Sequence, residues 1–415
     1  MVKIKNVRAL EILDSRGNPT VAVTLELSSG AKASALVPSG ASTGRHEVWE
    51  LRDGGKRYGG KGVLKAVNNV NTIIANAVVN KNFSDCIDLD HALCSLDGTL
   101  SKKRLGANAI LGVSMAYVRA QAHHYRLPLY AFLKKIYGYD KEVIMPTPTM
   151  NVLNGGQHAD NGLSVQEFMI VPHATLFSKR MQIGAEIYHM LKKELKAKGL
   201  ATGLGDEGGF APRLKNNEIA LQFLVKAVKH AGYRLEKDVS FALDVAASEF
   251  FQGDLYLFEN KKTSAEKLIA LYGRWLKKYP FVSIEDGLAE DDWIHWKLLT
   301  EKYASKTLLV GDDLFVTNYE RLQKGLAHNV GNAILIKPNQ IGTVTETIQT
   351  IKLAQKNNYQ IIISHRSGET HDDFIADLAV AVSAEYIKSG APARSERLAK
   401  YNRLLKIEHD IILGL

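Results

Sequence analysis

Charged residues directly follow several apolar runs in the second part of the chain. Asp244, Glu285 and Asp312 end the segments VSFALD, FVSIE and LLVGD, and Lys337 and His365 end AILIK and QIIISH. Short apolar runs of this kind are typical of buried strands. The five residues lie 41, 27, 25 and 28 positions apart, which fits one strand plus one helix. Because the carboxyl ends of parallel barrel strands meet at one rim, we expect these side chains to lie together.

The three acids of this group predict a site for a hard divalent cation. Without a cation, three carboxylates at one rim would repel one another and raise one another's pKa. Oxygen ligands with no nearby Cys or His are typical of Mg²⁺ or Mn²⁺, and Mg²⁺ commonly keeps positions for water or substrate. Each acid taken singly is better explained as a helix N-cap or a surface ion pair. The placement of all three acids after successive strands favours a metal site over these two explanations.

Cationic side chains are expected at the same rim. Lys337, in ILIKPNQIG, could be a structural ion-pair partner of the acids. Beside a bound cation its ammonium form would be disfavoured, and the lowered pKa would suit a general base. Arg366 and Ser367 in SHRSGET and Lys388 in YIKSGAPARS add anion-binding groups. Together these residues indicate a phosphorylated or carboxylated substrate.

Glycine-rich segments provide a further carboxylate and two candidate lids. Glu207 lies in GLGDEGGFAP, where the glycines favour a closely packed loop. This carboxyl could act as a general acid if desolvation raised its pKa. The segments DSRGNPT and PSGASTGRHE are explained by turns when taken alone. Over a barrel mouth they could exclude water and add a ligand.

The elements that must position these groups fall into two parts. VKIKNVRALEIL and PTVAVTLEL are predicted strands, and GVLKAVNNVNTIIANAVVN and LGANAILGVSMAYVRAQAHH are predicted helices. We place a domain boundary near residue 138, so that residues 1–138 form a smaller α+β domain. Residues 139–415 are then an α/β domain, a (β/α)8 TIM-type barrel of about the usual size. A doubly wound open sheet is the alternative, but the chain offers no strand followed by GxGxxG.

Six segments are the predicted strands of the second part, and each is a short apolar run ending at a polar residue. They are EFMIVP, VSFALD, FVSIED, TLLVGDD, NAILIKP and QIIISHR. Longer amphipathic stretches lie between them, which is the pattern of repeated βα units.

Composition narrows the class of protein. A length of 415 residues exceeds what one core usually supports. No stretch of 18 apolar residues occurs and the start lacks the apolar core of a signal peptide, so the expected compartment is the cytoplasm. The formal charge of +9 is spread along the chain without a zinc finger or RNP-type motif, so specific nucleic-acid binding is not expected. Cys86 and Cys94 suggest neither a disulfide framework nor a zinc site, and we expect both to be buried.

Nine segments, taken together and in order, resemble enolase. They are SGASTG, LGANAILGVS, NVLNGGQHA, QEFMIVP, GDEGGFAP, SIEDG, GDDLFVTN, NQIGT and SHRSGET. The resemblance extends from DSRGNPT near the amino terminus to APARSERLAKYN near the carboxyl terminus. It implies a small α+β domain before a (β/α)8 barrel with irregular early strand order.

The resemblance implies Mg²⁺-dependent, reversible dehydration of 2-phospho-D-glycerate to phosphoenolpyruvate, in glycolysis and gluconeogenesis. Lys337 would remove the C2 proton and Glu207 would assist loss of the C3 hydroxyl. Two Mg²⁺ ions would stabilise the enolate intermediate, because the abstracted proton leaves a further negative charge beside a carboxylate. The implied metal ligands are Asp244, Glu285 and Asp312 for the first ion, with Ser42 helping to bind the second.

Further residues follow from the same resemblance. The groups that would hold the substrate's carboxylate and phosphate are Gln166, Arg366, Ser367 and Lys388. His158 and Glu167 would lie close to the reacting atoms, with His365 behind them. The resemblance also implies a homodimer, allows octamers, and allows a surface or secreted pool without a signal peptide, as in some relatives.

Two other kinds of function compete with this reading. Racemases, cycloisomerases and acid-sugar dehydratases of the same superfamily share three metal acids, but are not expected to carry GDEGGFAP together with SGASTG and SHRSGET. A non-catalytic binding or structural protein on this scaffold would have lost a catalytic residue. None is lost in this sequence.

Overall fold

The computed structural model describes residues 2–40, 44–140 and 142–414. The amino-terminal part opens with an antiparallel meander of three strands: β1 (Ile4–Leu13), β2 (Pro19–Leu27) and β3 (Lys32–Leu36). The DSRGN turn joins β1 to β2 because Asp14 Oδ1 accepts hydrogen bonds from the backbone N–H groups of Arg16 and Asn18, both at 2.9 Å. The two predicted strands of this part are confirmed.

Helices cover one face of the meander. They are α1 (Leu64–Asn69), a π-helical turn (Val70–Ile74), α2 (Ala75–Val78), α3 (Cys86–Asp97), α4 (Ala107–His124) and α5 (Leu129–Tyr137). Helix α4 packs against β2 and β3 and is nearly all buried. Gly112 permits this approach, since a Cβ there would lie 2.5 Å from Val23 Cγ2. Both predicted helices are present, the first interrupted by the π-helical turn.

Eight strands close into a barrel in the second part. They are β4 (Thr147–Asn154), β5 (Glu167–Pro172), β6 (Val239–Asp244), β10 (Phe281–Glu285), β11 (Leu308–Gly311), β12 (Ala333–Ile336), β13 (Gln360–Ser364) and β14 (Tyr386–Lys388). The order around the barrel is β4-β5-β6-β10-β11-β12-β13-β14. Strand β5 runs antiparallel to β4 and β6, and the other neighbouring pairs are parallel. A separate small sheet contains β7 (Phe251–Gln252), β8 (Leu255–Phe258) and β9 (Lys261–Thr263).

Helices surround the barrel. They are α6 (Phe177–Ala197), α7 (Asn217–His230), α8 (Ala265–Lys278), α9 (Trp293–Tyr303), α10 (Tyr319–His328), α11 (Val344–Lys356), α12 (Phe374–Ala381) and α13 (Ser395–Leu413). All six strands predicted for this part are present, and the barrel is confirmed. The barrel begins with a β4–β5 hairpin followed by two helices, which is the irregular early strand order that the resemblance implies.

Two further findings concern membranes and thiols. None of the described helices is long and apolar enough to cross a membrane. Both cysteines lie on α3 as free thiols; Cys86 is buried as expected, whereas Cys94 is only partly buried.

The amino-terminal part caps a barrel helix at its first turn. Ser114 Oγ accepts from the Val344 N–H at 3.1 Å and Asp90 Oδ2 accepts from the Thr345 N–H at 2.9 Å. These N–H groups have no partner within helix α11. The caps therefore tie α3 and α4 to the barrel through hydrogen bonds that are buried.

Asp90→Asn is expected to change how stability depends on pH. Burial raises the pKa of Asp90 to about 6, against about 3.9 in an unfolded chain. The unfolded state therefore ionises first, and stability is lost as pH rises from about 4 to about 6. Asparagine does not ionise, so the variant does not lose this stability. The difference between its free energy of unfolding and that of the native chain should therefore increase by up to about 3 kcal/mol as pH rises from about 4 to about 6. Urea unfolding at several pH values measures it.

The exposed Asp88, on the same helix, gives the control. Asp88→Asn makes the same change at an exposed position, and its pH profile is measured in parallel. Parallel pH profiles for Asp90→Asn and the native chain would contradict the prediction.

Candidate active site

The barrel rim gathers the charged residues that were predicted from strand ends. Asp244 and Glu285 end β6 and β10, and Lys388 ends β14. Asp312, Lys337 and His365 directly follow β11, β12 and β13. Because β5 is antiparallel, its first residue, Glu167, lies on the same rim and pairs with Asp244. The predicted convergence of Asp244, Glu285, Asp312, Lys337 and His365 is present.

Lys388 lies at the centre of three carboxylates. Its Nζ is 2.8 Å from Glu285 Oε1, 3.0 Å from Asp244 Oδ2 and 3.1 Å from Glu167 Oε1. Burial lowers the pKa of Lys388, but these carboxylates outweigh burial and hold the pKa well above its usual range. The ammonium group is therefore charged, and its partners in this structure are acids of the chain.

Lys337 is held by the third strand-end acid. Its Nζ donates to Asp312 Oδ2 at 2.5 Å, and Gln340 Nε2 donates to Asp312 Oδ1 at 2.9 Å. Burial and the charge of Arg366 lower the pKa of Lys337, but Asp312 outweighs them and the pKa lies above its usual value. The lowering expected beside a bound cation stays a prediction, since the ammonium group is paired here with the Asp312 carboxylate.

The acids fit a hard divalent cation by their chemistry. Burial raises the pKa of Glu285 well above its usual range, and Asp244 raises it further. Such a set stays fully ionised only next to positive charge, and here the positive charge is that of Lys388. Carboxylate oxygens are the ligands that Mg²⁺ prefers. Ser42 lies outside the described residues, so its part in a second metal site stays a prediction.

Two compact groups of possible ligand atoms occur among the described residues. Within each group, one ligand atom per residue lies within 4.8 Å of the others. The groups are His158, Glu167 and Glu207, and Asp286, Asp312 and Asp313. Asp286 was not predicted as a site residue. Its carboxylate accepts the backbone N–H groups of Asp312 and Asp313 at 2.9 and 2.8 Å, which fixes the turn after β11.

Glu207 faces the rim from a loop packed against β4. Asn151 Nδ2 donates to its Oε2 at 3.0 Å, and His365 Nε2 lies 3.3 Å from its Oε1. Glycine is required beside it, since a Cβ at Gly205 or Gly209 would lie 2.8 or 2.5 Å from the Asn154 side chain. The glycines therefore allow the loop to carry a carboxylate into the rim.

Two carboxyls in this region have opposite pKa shifts. Burial raises the pKa of Glu167 well above its usual range, and the charge of Glu207 adds to this. Burial also favours a raised pKa for Glu207, but the contact with the His365 ring and the charge of Lys388 favour the carboxylate form and hold the pKa well below its usual range. Burial is the largest single effect on the Glu207 pKa, but the surrounding groups together exceed it, so the raised pKa considered for Glu207 is not found.

Both neighbouring histidines are neutral. Burial lowers the pKa of His365 to about 4 and also lowers the pKa of His158. His158 Nδ1 lies 3.8 Å from Oε1 of Glu167 and from Oε1 of Glu207. His365, which was expected behind the reacting groups, contacts Glu207 directly.

The predicted anion-binding residues lie beside these groups. Arg366 is buried and donates to both oxygens of Glu47, at 3.0 and 3.1 Å, and to Asn339 Oδ1 at 3.0 Å. Gln166 Oε1 is buried and has no hydrogen-bond partner among the described residues. One pocket brings together eleven of the predicted residues: His158, Gln166, Glu167, Glu207, Asp244, Asp312, Lys337, His365, Arg366, Ser367 and Lys388. Glu285 contacts Lys388, which lines this pocket.

Comparisons with known proteins agree with this arrangement. The family model described as "Enolase, N-terminal domain" matches residues 4–133, and "Enolase, C-terminal TIM barrel domain" matches residues 142–413. The chain belongs to the enolase family. Similar relatives include "Enolase" from Nitratiruptor sp. and "Enolase 1" from Chlorobaculum tepidum, each 54% identical over 415 residues. These matches cover 99% of this chain and 98% and 96% of the two relatives. The enolase resemblance predicted from nine segments is confirmed.

Several residues of the enolase site were missed by the sequence reasoning. Gln340 and Asp286 lie within NQIGT and SIEDG, two segments of the resemblance. These segments could therefore have identified both residues as candidates. Asn151 lies on β4, a strand that was not predicted. Glu47 follows the SGASTG segment and reaches Arg366 only through the tertiary fold.

Proposed function

We propose that this chain dehydrates 2-phospho-D-glycerate reversibly to phosphoenolpyruvate, with Lys337 as the base at C2 and Glu207 as the acid at C3. Enolase function in glycolysis follows from full-length relatives of that name at 54% identity. The observation that carries the two roles is their shared pocket, which Lys337 and Glu207 both line together with Asp312 and Asp244. The pocket thus offers an amine and a carboxyl to one small substrate.

Two Mg²⁺ ions are part of the proposal. Asp244, Glu285 and Asp312 would hold the first, and Ser42 would help to hold the second. When bound, the ions would stabilise the negative charge that develops on the substrate carboxylate. A carboxylate set that already binds an ammonium group at 2.8 and 3.0 Å supports cation binding at this place.

Lys337 must give up a proton before it can accept one from C2. Asp312 stabilises the ammonium form, whereas the charges of Arg366 and Lys388 disfavour it. The backbone N–H of Lys337 donates to Thr317 Oγ1 at 2.8 Å, which fixes the start of the side chain. The base is therefore held in place while its protonation depends on the charges around it.

Glu207 and Glu167 would transfer the proton to the departing C3 hydroxyl, or take it from the attacking water in the reverse reaction. The pKa of Glu167 is raised and that of Glu207 is lowered, so Glu167 is the more readily protonated of the two. An ionised Glu207 suits the reverse reaction, in which a carboxylate accepts a proton from the attacking water. The same group then acts as the acid for dehydration, because the two directions share one path. His158 lies between the two carboxyls and would pass or orient the proton.

Four residues would bind the substrate's anionic groups. Arg366 already binds a carboxylate, that of Glu47, with two nitrogens, which is the geometry that recognises carboxylate or phosphate. Lys388 adds positive charge and Gln166 a side-chain amide. Ser367 lies beside Arg366 at the same rim.

The proposal extends to the assembly and the location. It places the domain boundary between residues 138 and 139, and the basic unit is a homodimer, with octamers as a larger form. The compartment is the cytoplasm. The proposal includes neither a membrane nor a nucleic-acid partner.

The purified chain should form phosphoenolpyruvate from 2-phospho-D-glycerate when Mg²⁺ is added. The measurement is the ultraviolet absorbance of the product, with and without a chelator, and activity should disappear when the chelator is present. The same assay with acid-sugar substrates tests the superfamily alternatives. Absence of turnover at saturating Mg²⁺ would refute the proposal and favour a non-catalytic protein.

A further inference from the structure

Arg397 is a fully buried cation whose partners belong to the site. Its relative exposure is 0%, although arginine is seldom fully buried unless paired. Its carboxylate contact is with Glu396 Oε1, 3.6 Å from Nε, which exceeds hydrogen-bond length. A buried guanidinium with so weak an ion pair must be stabilised by other acceptors.

Those acceptors come from two loops of the site. Nη1 donates to the His365 ring at Nδ1 (2.7 Å) and to the Arg366 carbonyl (2.5 Å). Nη2 donates to the carbonyls of Ser367 (2.6 Å) and Asp206 (3.0 Å). Both terminal nitrogens therefore use both of their hydrogens. One side chain joins the loop that carries Arg366 and Ser367 to the loop that carries Glu207.

We propose that Arg397 is a positioning residue that fixes the tautomer of His365, so that the Nε2–H of the imidazole faces Glu207. This proposal about Arg397 rests on the proposed function only for the role of Glu207 as the acid at C3. Arginine is always a donor, so Nδ1 must be an acceptor and the ring proton must be on Nε2. Nε2 lies 3.3 Å from Glu207 Oε1.

The surroundings of Arg397 are shaped for this contact. A Cβ at Gly390 would lie 3.1 Å from Arg397 Cδ and 2.6 Å from the Glu207 carbonyl oxygen, so glycine leaves room for both. The Ala391 N–H donates to that same carbonyl at 2.9 Å. Burial and the charge of Arg397 both disfavour protonation of His365, which keeps the ring neutral with a single N–H.

A neutral imidazole with its N–H directed at Glu207 favours the carboxylate form of that residue. The opposite tautomer would direct a lone pair at the carboxylate and repel it. Loss of Arg397 should therefore lower kcat through Glu207. Substitutions of residues that orient a functional group commonly cost about 10- to 100-fold in activity.

The first test requires no substitution. Long-range ¹H–¹⁵N spectra of the full chain labelled at histidine nitrogen distinguish the two tautomers, and the signal of His365 is the one lost in His365→Phe. An Nε2–H tautomer supports the proposal. An Nδ1–H or doubly protonated ring would overturn it. This result does not depend on whether the chain turns over 2-phospho-D-glycerate, so it separates this proposal from the proposed function.

Arg397→Met keeps the aliphatic stem and removes every donor. We expect it to lower kcat by about 10- to 100-fold and to release His365 from the single tautomer. Arg394→Met is the matched comparison, because Arg394 donates to the carbonyls of Gly205 and Asp206 but not to His365. It should retain the Nε2–H tautomer. An unchanged His365 tautomer in a folded Arg397→Met variant would refute the proposal.

A double-mutant cycle separates positioning from general support of the fold. If Arg397 acts through His365, then adding Arg397→Met to His365→Phe should lower kcat by less than about threefold further. Full additivity of the two losses would show that Arg397 acts by another route. Near-ultraviolet circular dichroism checks that each variant is folded.

Discussion

Lys337→Ala is expected to abolish the reaction at its first step, with kcat lower by about 10⁴-fold. The proposed role of Lys337 is to remove the C2 proton, and alanine has no group that can do so. The variant should therefore lose formation of phosphoenolpyruvate and also lose exchange of a C2 deuterium of the substrate with solvent. Product absorbance measures the first loss, and NMR of recovered 2-phospho-D-glycerate measures the second.

Lys102 provides a matched control for this substitution. It is also a buried lysine paired with a carboxylate, with Nζ 2.8 Å from Glu346 Oε1, but it lies in the loop between α3 and α4 and contacts α11. Lys102→Ala should lower stability and leave kcat within about threefold of the native value. If Lys337→Ala retained C2 exchange, another group would have to be the base.

The barrel could be predicted because its strands leave a simple pattern. Buried parallel strands are apolar on both faces, so β6, β10, β11, β12 and β13 appear as short runs that end at a polar residue. Two strands leave no such pattern. Strand β4 contains Pro148 and several polar residues, and β14 has only three residues. Their place in the barrel depends on pairing with neighbours that are distant in the chain.

The site could be predicted where strand geometry alone fixes the position. Asp244, Glu285 and Asp312 converge because each ends or directly follows a strand, and no knowledge of the loops was needed. Glu207 required the family resemblance, since its loop approaches β4 only through close packing of glycines. Arg397 was missed although it lies in APARSERLAKYN, because its partners lie about 30 and 190 positions earlier.

The direction of pKa shifts was the least predictable property. At Lys337 the sequence suggested neighbouring cations, whereas the nearest charged atom is the Asp312 oxygen at 2.5 Å. At Glu207 it suggested desolvation, which is the largest single effect but is outweighed by the groups around the carboxylate. Such balances depend on differences of less than 1 Å in distance. Spacing along a sequence carries no information at that scale.

Glu207→Gln is expected to separate the two halves of the reaction. Glutamine keeps the size of the side chain, but it can neither give nor take the proton at C3. Formation of phosphoenolpyruvate should fall by about 10²- to 10⁴-fold. Lys337 is untouched, so exchange of the C2 deuterium with solvent should continue. The ratio of exchange to product formation should therefore rise in this variant and not in Lys337→Ala.

Glu408 offers the control for Glu207→Gln, as a buried glutamate far from the rim. Its carboxylate caps α6 by accepting the N–H groups of Phe177 and Ser178, the latter at 2.9 Å. Glu408→Gln should change stability and leave both exchange and product formation near the native rates. If Glu207→Gln instead lost exchange and product formation in equal measure, Glu207 would be acting on proton abstraction or on binding. The acid at C3 would then be the other member of the carboxyl pair, Glu167, whose pKa is raised.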